Sequence, residues 1–193
     1  MKAPVNLIKK INLPGLASKA KAAAKMEVLV GIPQEQSSRE HGGEINNAEL
    51  LYVHTHGVRA ASMRAEMQQS IEHGTTYSKA HSLYIQTHGS PLWHVPPRPV
   101  LEPAIEANKD KIARELKKVI TAGIKNDKTG VKAGLHRAGL VAENAAKRWF
   151  ENPMNGWPPN SPVTAAKKGS SIPLVDTGEL RKAITHVIRE NGV

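Results

Sequence analysis

The chain has 193 residues, a length that suits one domain, and 39% of them are hydrophobic, which is ordinary for a protein with a buried core. Its 27 basic and 17 acidic side chains give a net charge of +10, and the absence of cysteine excludes disulfides and thiolate metal sites. Its apolar runs are shorter than the ~18 residues that span a bilayer, and Lys9 and Lys10 interrupt the apolar start. We therefore expect no membrane segment and no secretory signal peptide, and a cytoplasmic site of synthesis fits.

The positive charge is concentrated at the N-terminus. Residues 1–25 contain six lysines and no acidic residue, whereas the rest of the chain has 21 basic and 17 acidic side chains and carries only +4. The six are Lys2, Lys9, Lys10, Lys19, Lys21 and Lys25. Residues 17–25 are rich in alanine and lysine and predict a helix. We interpret residues 1–25 as a basic N-terminal arm, which is either a solvated helix or a contact for nucleic acid or an acidic partner.

After the arm, the pattern predicts a strand, a loop and a short helix. Apolar residues alternate with others over residues 26–32, which is the period of a strand, and Pro33 ends it. The polar, glycine-containing residues 34–47 predict a loop, and residues 48–54 a short helix.

Residues 58–82 have no clean hydrophobic period, although apolar residues four apart within this segment permit a helix. Two similar sequences flank it, LYVHTHG at 51–57 and LYIQTHG at 83–89. Because two copies do not make a solenoid, we interpret them as two similar turns that face one another, or as a coincidence.

Two long amphipathic helices follow a proline-rich segment at residues 96–103. The first helix places six apolar residues on one face, namely Ile105, Ile112, Leu116, Val119, Ile120 and Ile124. Residues 126–130 break it. The second helix covers residues 131–149, and its apolar residues are spaced four and three apart up to Trp149. This narrow seam is suited to packing on another helix.

The C-terminal part predicts a long loop, a short helix and a last strand. Residues 152–172 are polar and rich in proline and serine, and a connection of this length is typically functional or disordered. Asp176 followed by Glu179 resembles a capping box, so we predict that Asp176 caps the short helix. Residues 186–188 predict the strand.

This order of elements predicts an α+β fold, with a small antiparallel sheet packed against two long amphipathic helices, a basic N-terminal arm and long loops. We divide the chain into the arm, 1–25, and a single α+β domain, 26–193.

The histidines are the feature that most suggests metal chemistry, since nine occur in the chain. On a strand, His54 and His56 would share one face, and His88 would supply a third ligand. This defines one alternative function, a metal-dependent hydrolase. No His-Glu-x-x-His motif is present, however, and no carboxylate has a suitable spacing. We therefore interpret the histidines as turn and interface residues.

Motifs for a nucleophile or a phosphate loop are also missing. The chain has no Gly-x-Ser-x-Gly, and KKGS at 167–170 lacks the preceding glycine of a Walker-type loop. We predict that the protein is not an enzyme, that it has no catalytic residues, cofactor or metal site, and that it is an interaction protein.

Three blocks of sequence resemble the tail-completion and virion-morphogenesis proteins of tailed bacteriophages. The block at 157–181, WPPNSPVTAAKKGSSIPLVDTGELR, is similar to the closing signature of that family, a Pro/Asn/Ser loop, a Lys-Gly stretch and Pro-Leu-x-Asp-Thr-Gly-x-Leu. The block at 87–104, THGSPLWHVPPRPVLEPA, resembles its His-Gly and Arg-Pro segment, and VLVGIP at 28–33 is similar to its first strand. The matches span about residues 26–190, with 58–82 as an insertion that is a candidate loop reaching to a neighbour.

The resemblance implies a structural role at the neck of the virion. It implies a homo-oligomeric ring, with a hexamer favoured and a dodecamer as the alternative, that joins the portal or adaptor connector proteins of the head to the tail terminator or tail tube protein. Genomic DNA would pass through the lumen with only non-specific contact. Assembly would occur in the cytoplasm of the bacterial host. The family supplies no catalytic residues to carry over.

Aromatic residues and arginine are enriched at protein interfaces, which makes several residues of the two longer blocks candidate interface residues. Together with two loop lysines they are Trp93, Arg98, Trp157, Lys167 and Lys168. We expect Trp149 to lie in the core because of its helical phase. The main rival function is a DNA-binding phage assembly factor that uses the basic arm. It predicts tight, salt-dependent binding to duplex DNA that is lost when residues 1–25 are removed.

Overall fold

A computed structural model describes residues 25–39, 45–89 and 91–190, together with Gly15 and Ser18. The predicted helix and the basic arm therefore lie outside the described residues, except for these two residues and Lys25. The strands are β1 (Met26–Gly31), β2 (Val58–Arg59), β3 (Trp93–Val95) and β4 (Thr185–Glu190). The α-helices are α1 (Asn47–His56), α2 (Ala61–Glu72), α3 (Tyr77–His88), α4 (Leu101–Ala107), α5 (Lys109–Ile124), α6 (Lys128–Trp149), α7 (Pro162–Lys168) and α8 (Glu179–Ala183). None of these helices is long and apolar enough to cross a membrane.

The first and last strands, β1 and β4, pair with each other in an antiparallel sheet, which confirms both predicted strands. Met26 lies opposite Glu190, and Gly31 lies opposite Thr185. Helix α6 crosses one face of this sheet at Gly139. A Cβ atom at this position would lie 2.2 Å from Cδ2 of His186, so the close approach of helix and sheet requires a glycine.

The strands of the described residues form two separate two-stranded antiparallel sheets, where the sequence predicted one small sheet. In the second sheet, Val58 of β2 lies opposite Val95 of β3. Next to this pair, the Ala60 N–H donates to the Leu92 carbonyl at 2.8 Å. The predicted mixed helix-and-sheet class is thus confirmed, but the described strands form two small sheets where one was predicted.

The two predicted long helices are present, with one additional break. The side-chain amide of Asn108 donates to the Ala104 carbonyl at 3.0 Å, and the chain leaves the helical path there, which separates α4 from α5. Helices α5 and α6 pack together through a cluster that contains Val119 and Leu135. Trp149, at the end of α6, is buried, as expected from its helical phase.

The main core lies where α4, α6 and α8 meet. Its buried residues are Leu51, Val100, Ala104, Ala146, Trp149, Phe150, Leu180 and Ile184. Residues from the proline-rich segment, from α1 and from the C-terminal block all contribute to this cluster, so the main core joins distant parts of the chain.

Residues 58–82, predicted as an insertion of uncertain structure, belong largely to a helical hairpin formed by α2 and α3 (residues 61–88). The hairpin has its own apolar cluster, which consists of Met63, Met67, Ala80 and Tyr84. The weak periodicity of this segment has a physical reason, since each of the two helices buries only two residues.

The two similar sequences at 51–57 and 83–89 are the ends of two helices, not turns that face one another. Each ends in a glycine with positive φ, 71° at Gly57 and 78° at Gly89, which is a conformation that glycine adopts without strain. In each, the histidine before the glycine stacks on the tyrosine four residues earlier, with ring centroids 4.1 Å apart. The repeated sequence therefore encodes a repeated way to end a helix.

Two loop predictions and one helix-cap prediction need correction. Helix α1 begins at Asn47, and a 3-10 helix occupies Gln34–Gln36, so the loop at 34–47 is shorter than predicted. The segment 152–172 contains a 3-10 helix, Pro153–Asn155, and helix α7. The cap of α8 is also different from the prediction.

Asp176 was predicted to cap α8, but the residue at the N-cap is Gly178, with φ of 81°. The hydroxyl of Thr177, not the Asp176 carboxylate, accepts a hydrogen bond from the Glu179 N–H at 3.4 Å. The prediction was wrong because the helix begins two residues later than the capping-box spacing suggests, which leaves the Asp176 carboxylate available to a neighbouring cleft.

Candidate functional site

A cleft of about 710 Å³ lies between α1, the proline-rich segment, α7 and the residues that lead into α8. Its size is in the range of binding clefts for small ligands or short peptide segments. Its polar side chains come from five separate stretches of the chain: Arg39, Asn47, His54, His94, Arg98, Asn160, Ser161, Thr164, Lys168, Asp176, Thr177 and Glu179. The apolar part of its wall includes Leu50, Val95, Leu174 and Leu180.

Arg98 connects the two longer resemblance blocks at this cleft. Its side chain is only 7% exposed, and its guanidinium donates three hydrogen bonds to backbone carbonyls. Nε and Nη2 donate to the Pro158 carbonyl at 3.1 and 2.9 Å, and Nη2 also donates to the Pro159 carbonyl at 3.0 Å. Burial of a charge is tolerated when hydrogen bonds replace the lost water, and these carbonyls do so.

Trp157 provides a second connection between the same two blocks. Its indole N–H donates to the Pro99 carbonyl at 3.1 Å, and its ring meets Phe150 edge-on with centroids 5.9 Å apart. Together with the hydrogen bonds of Arg98, this contact holds residues 157–159 against residues 98–99. The proline-rich loop is therefore ordered by the block that lies about 60 residues earlier.

His54 lies on α1 at the cleft and is neutral at pH 7. Burial is the largest cause that lowers the pKa of His54 from 6.5 to about 4. Three nearby positive charges lower this pKa further, those of Arg98, Lys168 and Arg39. Its Nδ1 atom is buried and has no hydrogen-bond partner within the described part of the chain.

Arg39 reaches the cleft because the chain before α1 is tied back to that helix. The side-chain amide of Asn47 donates to the Ser38 carbonyl at 2.9 Å, and the Asn47 N–H donates to Ser37 at 2.7 Å. The Nε atom of Arg39 is buried, and none of the described residues provides it with a hydrogen-bond partner. The sequence pattern gave no indication of this residue, since it lies in a polar segment without a motif.

Lys168 lies at the last turn of α7 and faces the cleft. Its Nζ donates to the Ile172 carbonyl at 3.1 Å. Burial lowers the pKa of Lys168, the carboxylate of Asp176 opposes this change, and the charge of Arg98 adds to it. Lys167, its neighbour in sequence, is exposed and does not line the cleft.

The remaining candidate residues lie elsewhere. Trp93 is half-buried on β3, and the Arg59 guanidinium carbon lies 3.6 Å from its ring centroid, a cation–π arrangement within the chain. Of the six arm lysines only Lys25 is described, and it is exposed. The structure thus brings together Arg98, Trp157 and Lys168, but not Trp93 or Lys167.

The metal alternative depended on a strand at residues 54–56, and these residues are helical. Two positions apart on a helix are turned by about 200°, so His54 and His56 do not share a face. His56 instead donates from its Nδ1–H to the Tyr52 carbonyl at 2.9 Å, and Nε2 of His88 lies 3.6 Å from a carboxylate oxygen of Glu66. Within the described residues, no group of three or more histidines and carboxylates is placed to hold a metal ion.

Comparison with known proteins gives no relative. No protein-family model, curated protein or solved structure matches this chain.

Proposed function

We propose that this protein is a structural virion protein, a ring-forming neck or tail-completion subunit that joins the head connector of a tailed phage to its tail. The observation that supports this proposal most directly is the meeting of the resemblance blocks at one place. Arg98 of the first longer block bonds Pro158 and Pro159 of the second, and Asp176 lies in the same cleft. Two sequence blocks that resemble the same family and also contact each other support the proposed function more strongly than two blocks that lie apart.

The shape of the chain also fits subunits in a closed ring. Each subunit of a ring needs two different surfaces, because a heterologous interface joins one face to another. The helical hairpin has its own apolar cluster, and β2 and β3 lie at its base. On the β1–β4 sheet, Leu29 and Val187 are paired and remain 37% and 41% exposed. We propose these as the two surfaces.

The hydroxyl groups at the cleft support a structural role in preference to catalysis. Ser161 accepts a hydrogen bond from the Thr164 N–H at 3.2 Å, and its Oγ lies 2.8 Å from the Thr164 hydroxyl. This is the geometry of a helix cap, and it holds the start of α7. A nucleophilic serine needs a base beside it, and the neutral His54 has no bond to Ser161.

In this proposal the partners are further copies of the same chain, the portal or adaptor proteins on the head side, and the terminator or tube protein on the tail side. A hexamer is favoured, with a dodecamer as the alternative. Genomic DNA passes through the lumen. The location is the neck of the virion, after assembly in the bacterial cytoplasm.

Quantitative mass spectrometry of purified phage particles, with separated heads and tails alongside, tests the proposal. We expect about six to twelve copies per particle, the numbers of subunits in one hexameric or one dodecameric ring. The copies should be recovered with the neck or the tail end. Absence from mature particles would contradict a joining role.

The same protein should be tested for binding to duplex DNA over a series of salt concentrations. Tight binding that falls steeply with salt and disappears when residues 1–25 are deleted would favour the DNA-binding assembly factor instead. Weak binding at physiological salt is expected of the neck subunit.

A further inference from the structure

One end of the cleft is surrounded by positive charge. Arg98, Lys168 and Arg39 are the described groups whose charges act on His54. The acidic residues of the cleft are Asp176 and Glu179. The carboxylate of Asp176 acts on Lys168, and the three cations outnumber the two carboxylates that line the cleft.

The positive end also contains buried polar atoms that need a partner. Nε of Arg39 and Nδ1 of His54 are both buried, and the described residues offer neither a hydrogen bond. An unpaired buried polar atom is unfavourable, and more so when its group is charged. The end of the cleft at Arg39, Arg98 and Lys168 therefore has uncompensated positive charge, which favours a ligand that supplies negatively charged oxygen atoms.

We propose that the cleft is a binding site for an acidic peptide segment of a partner protein, with a carboxylate at the positive end and a neighbouring apolar side chain on the apolar wall. Carboxylate oxygens would accept from the guanidinium of Arg39 and from Nζ of Lys168, which both line the cleft. The apolar side chain would pack against Leu50, Val95 and Leu174, which line the cleft beside these cations.

The form of the cleft favours a peptide over nucleic acid. Most of its accessible lining is apolar, and it is concave. Phosphate groups of duplex DNA are contacted by basic side chains on a surface that follows the backbone, not by a cleft with an apolar wall. An acidic segment with an apolar residue matches both parts of the lining.

The site is already arranged for binding. The carbonyls of Pro158 and Pro159 fix the guanidinium of Arg98, and the Ile172 carbonyl fixes the ammonium of Lys168. Because these side chains are ordered before a ligand arrives, less conformational entropy is lost on binding. The inference deepens the proposed joining role, and it rests on that role for the identity of the partner, which would be a neighbouring virion component.

The test uses the full chain and two peptides, acetyl-Leu-Asp-Glu-Leu-amide and its neutral counterpart acetyl-Leu-Asn-Gln-Leu-amide. We expect the acidic peptide to bind in calorimetry and the neutral one to bind at least tenfold more weakly. Lys168→Met should weaken acidic-peptide binding roughly tenfold, the effect of losing one charged partner. Lys167→Met is the matched control, since it removes the same charge one residue away, and binding should stay within twofold.

Histidine NMR gives an independent readout. A bound carboxylate stabilises the protonated ring, so the acidic peptide should raise the pKa of His54 from about 4, while the ring signals of the exposed His73 should not respond to the peptide. This also shows whether Lys168→Met still folds, because the His54 signal reports the intact cleft.

Equal binding of the two peptides, equal effects of the two lysine variants, or an unchanged His54 would overturn the inference. A short DNA duplex could also compete with the acidic peptide. If this competition is lost in Lys168→Met, the group bound at the positive end is a phosphate and not a carboxylate, and the inference is overturned. If the protein is present in virions but does not bind the acidic peptide, only this inference fails. If it binds the peptide but is absent from virions, only the proposed function fails.

Discussion

Arg98 shows how a single buried charge can organise a loop. Lysine has one point charge where arginine has a planar fork, so Arg98→Lys cannot reproduce the bonds to both Pro158 and Pro159. We expect the variant to lose about 2 kcal/mol of unfolding free energy in urea titrations, because buried carbonyls lose their donors. Amide hydrogen exchange in residues 157–172 should become faster.

Arg114→Lys is the control for this prediction, since Arg114 is exposed on α5. Its unfolding free energy should change by less than about 0.5 kcal/mol. Equal losses in the two variants would show that Arg98 has no special role in holding the loop.

His54 makes stability depend on pH. Its folded pKa of about 4 is below the ordinary 6.5, so the unfolded chain takes up a proton first as the pH falls. The contribution of neutral His54 to the free energy of unfolding is therefore complete above pH 6.5, and it is lost as the pH falls from 6.5 toward 4. Because His54 is partly exposed, we expect the loss between pH 7 and pH 5 to be about 1 kcal/mol after solvent screening.

Urea titrations of wild type and His54→Gln at both pH values measure this contribution. The pH dependence of the variant should be smaller by this amount, while that of His73→Gln, at an exposed position, should match wild type. A variant with the full wild-type dependence would show that His54 is not the responsible group.

Among the elements, the helical hairpin of α2 and α3 is the clearest candidate for contact between subunits. Tyr77, at its tip, is 61% exposed, and Leu83 is 43% exposed. If the hairpin contacts the next subunit, Tyr77→Ser should reduce the fraction of ring in mass photometry at a fixed concentration. The melting temperature of the monomer should be unchanged, since the side chain is outside the hairpin cluster.

Tyr52→Ser is the matched control, because Tyr52 is 64% exposed on α1 and carries the same side chain. It should leave the ring fraction as in wild type. If Tyr77→Ser leaves the fraction of ring unchanged, the tip of the hairpin is not part of an interface between subunits.

The elements that the sequence predicted well are those with a strong apolar period. Strand β1 and the helices α5 and α6 each carry a regular apolar period that is visible in the sequence. The hairpin was not predicted, because two short helices that bury only Met63, Met67, Ala80 and Tyr84 leave too weak a pattern. The cap of α8 was misplaced by two residues, because Gly178 adopts the left-handed conformation at the N-cap.

For the whole molecule, the sequence could not predict which distant residues meet. Arg98, Trp157 and Lys168 were named as interface candidates from residue type, and the structure places all three around one loop. Arg39 was missed, because its position depends on the bond from Asn47 to Ser38 and not on any local motif. The charge of a cleft is a property of several chain segments at once, so no single window of sequence contains it.

The pairing of β1 with β4 has a consequence for biosynthesis. Strand β1 emerges from the ribosome well before its partner, Thr185–Glu190, which follows the helices between them. Contacts between such distant residues form late, because the intervening chain must first be ordered. The sheet can therefore close only once residue 190 has emerged, and a nascent chain that stops before residue 185 keeps an unpaired strand, which makes it a substrate for chaperones and proteases.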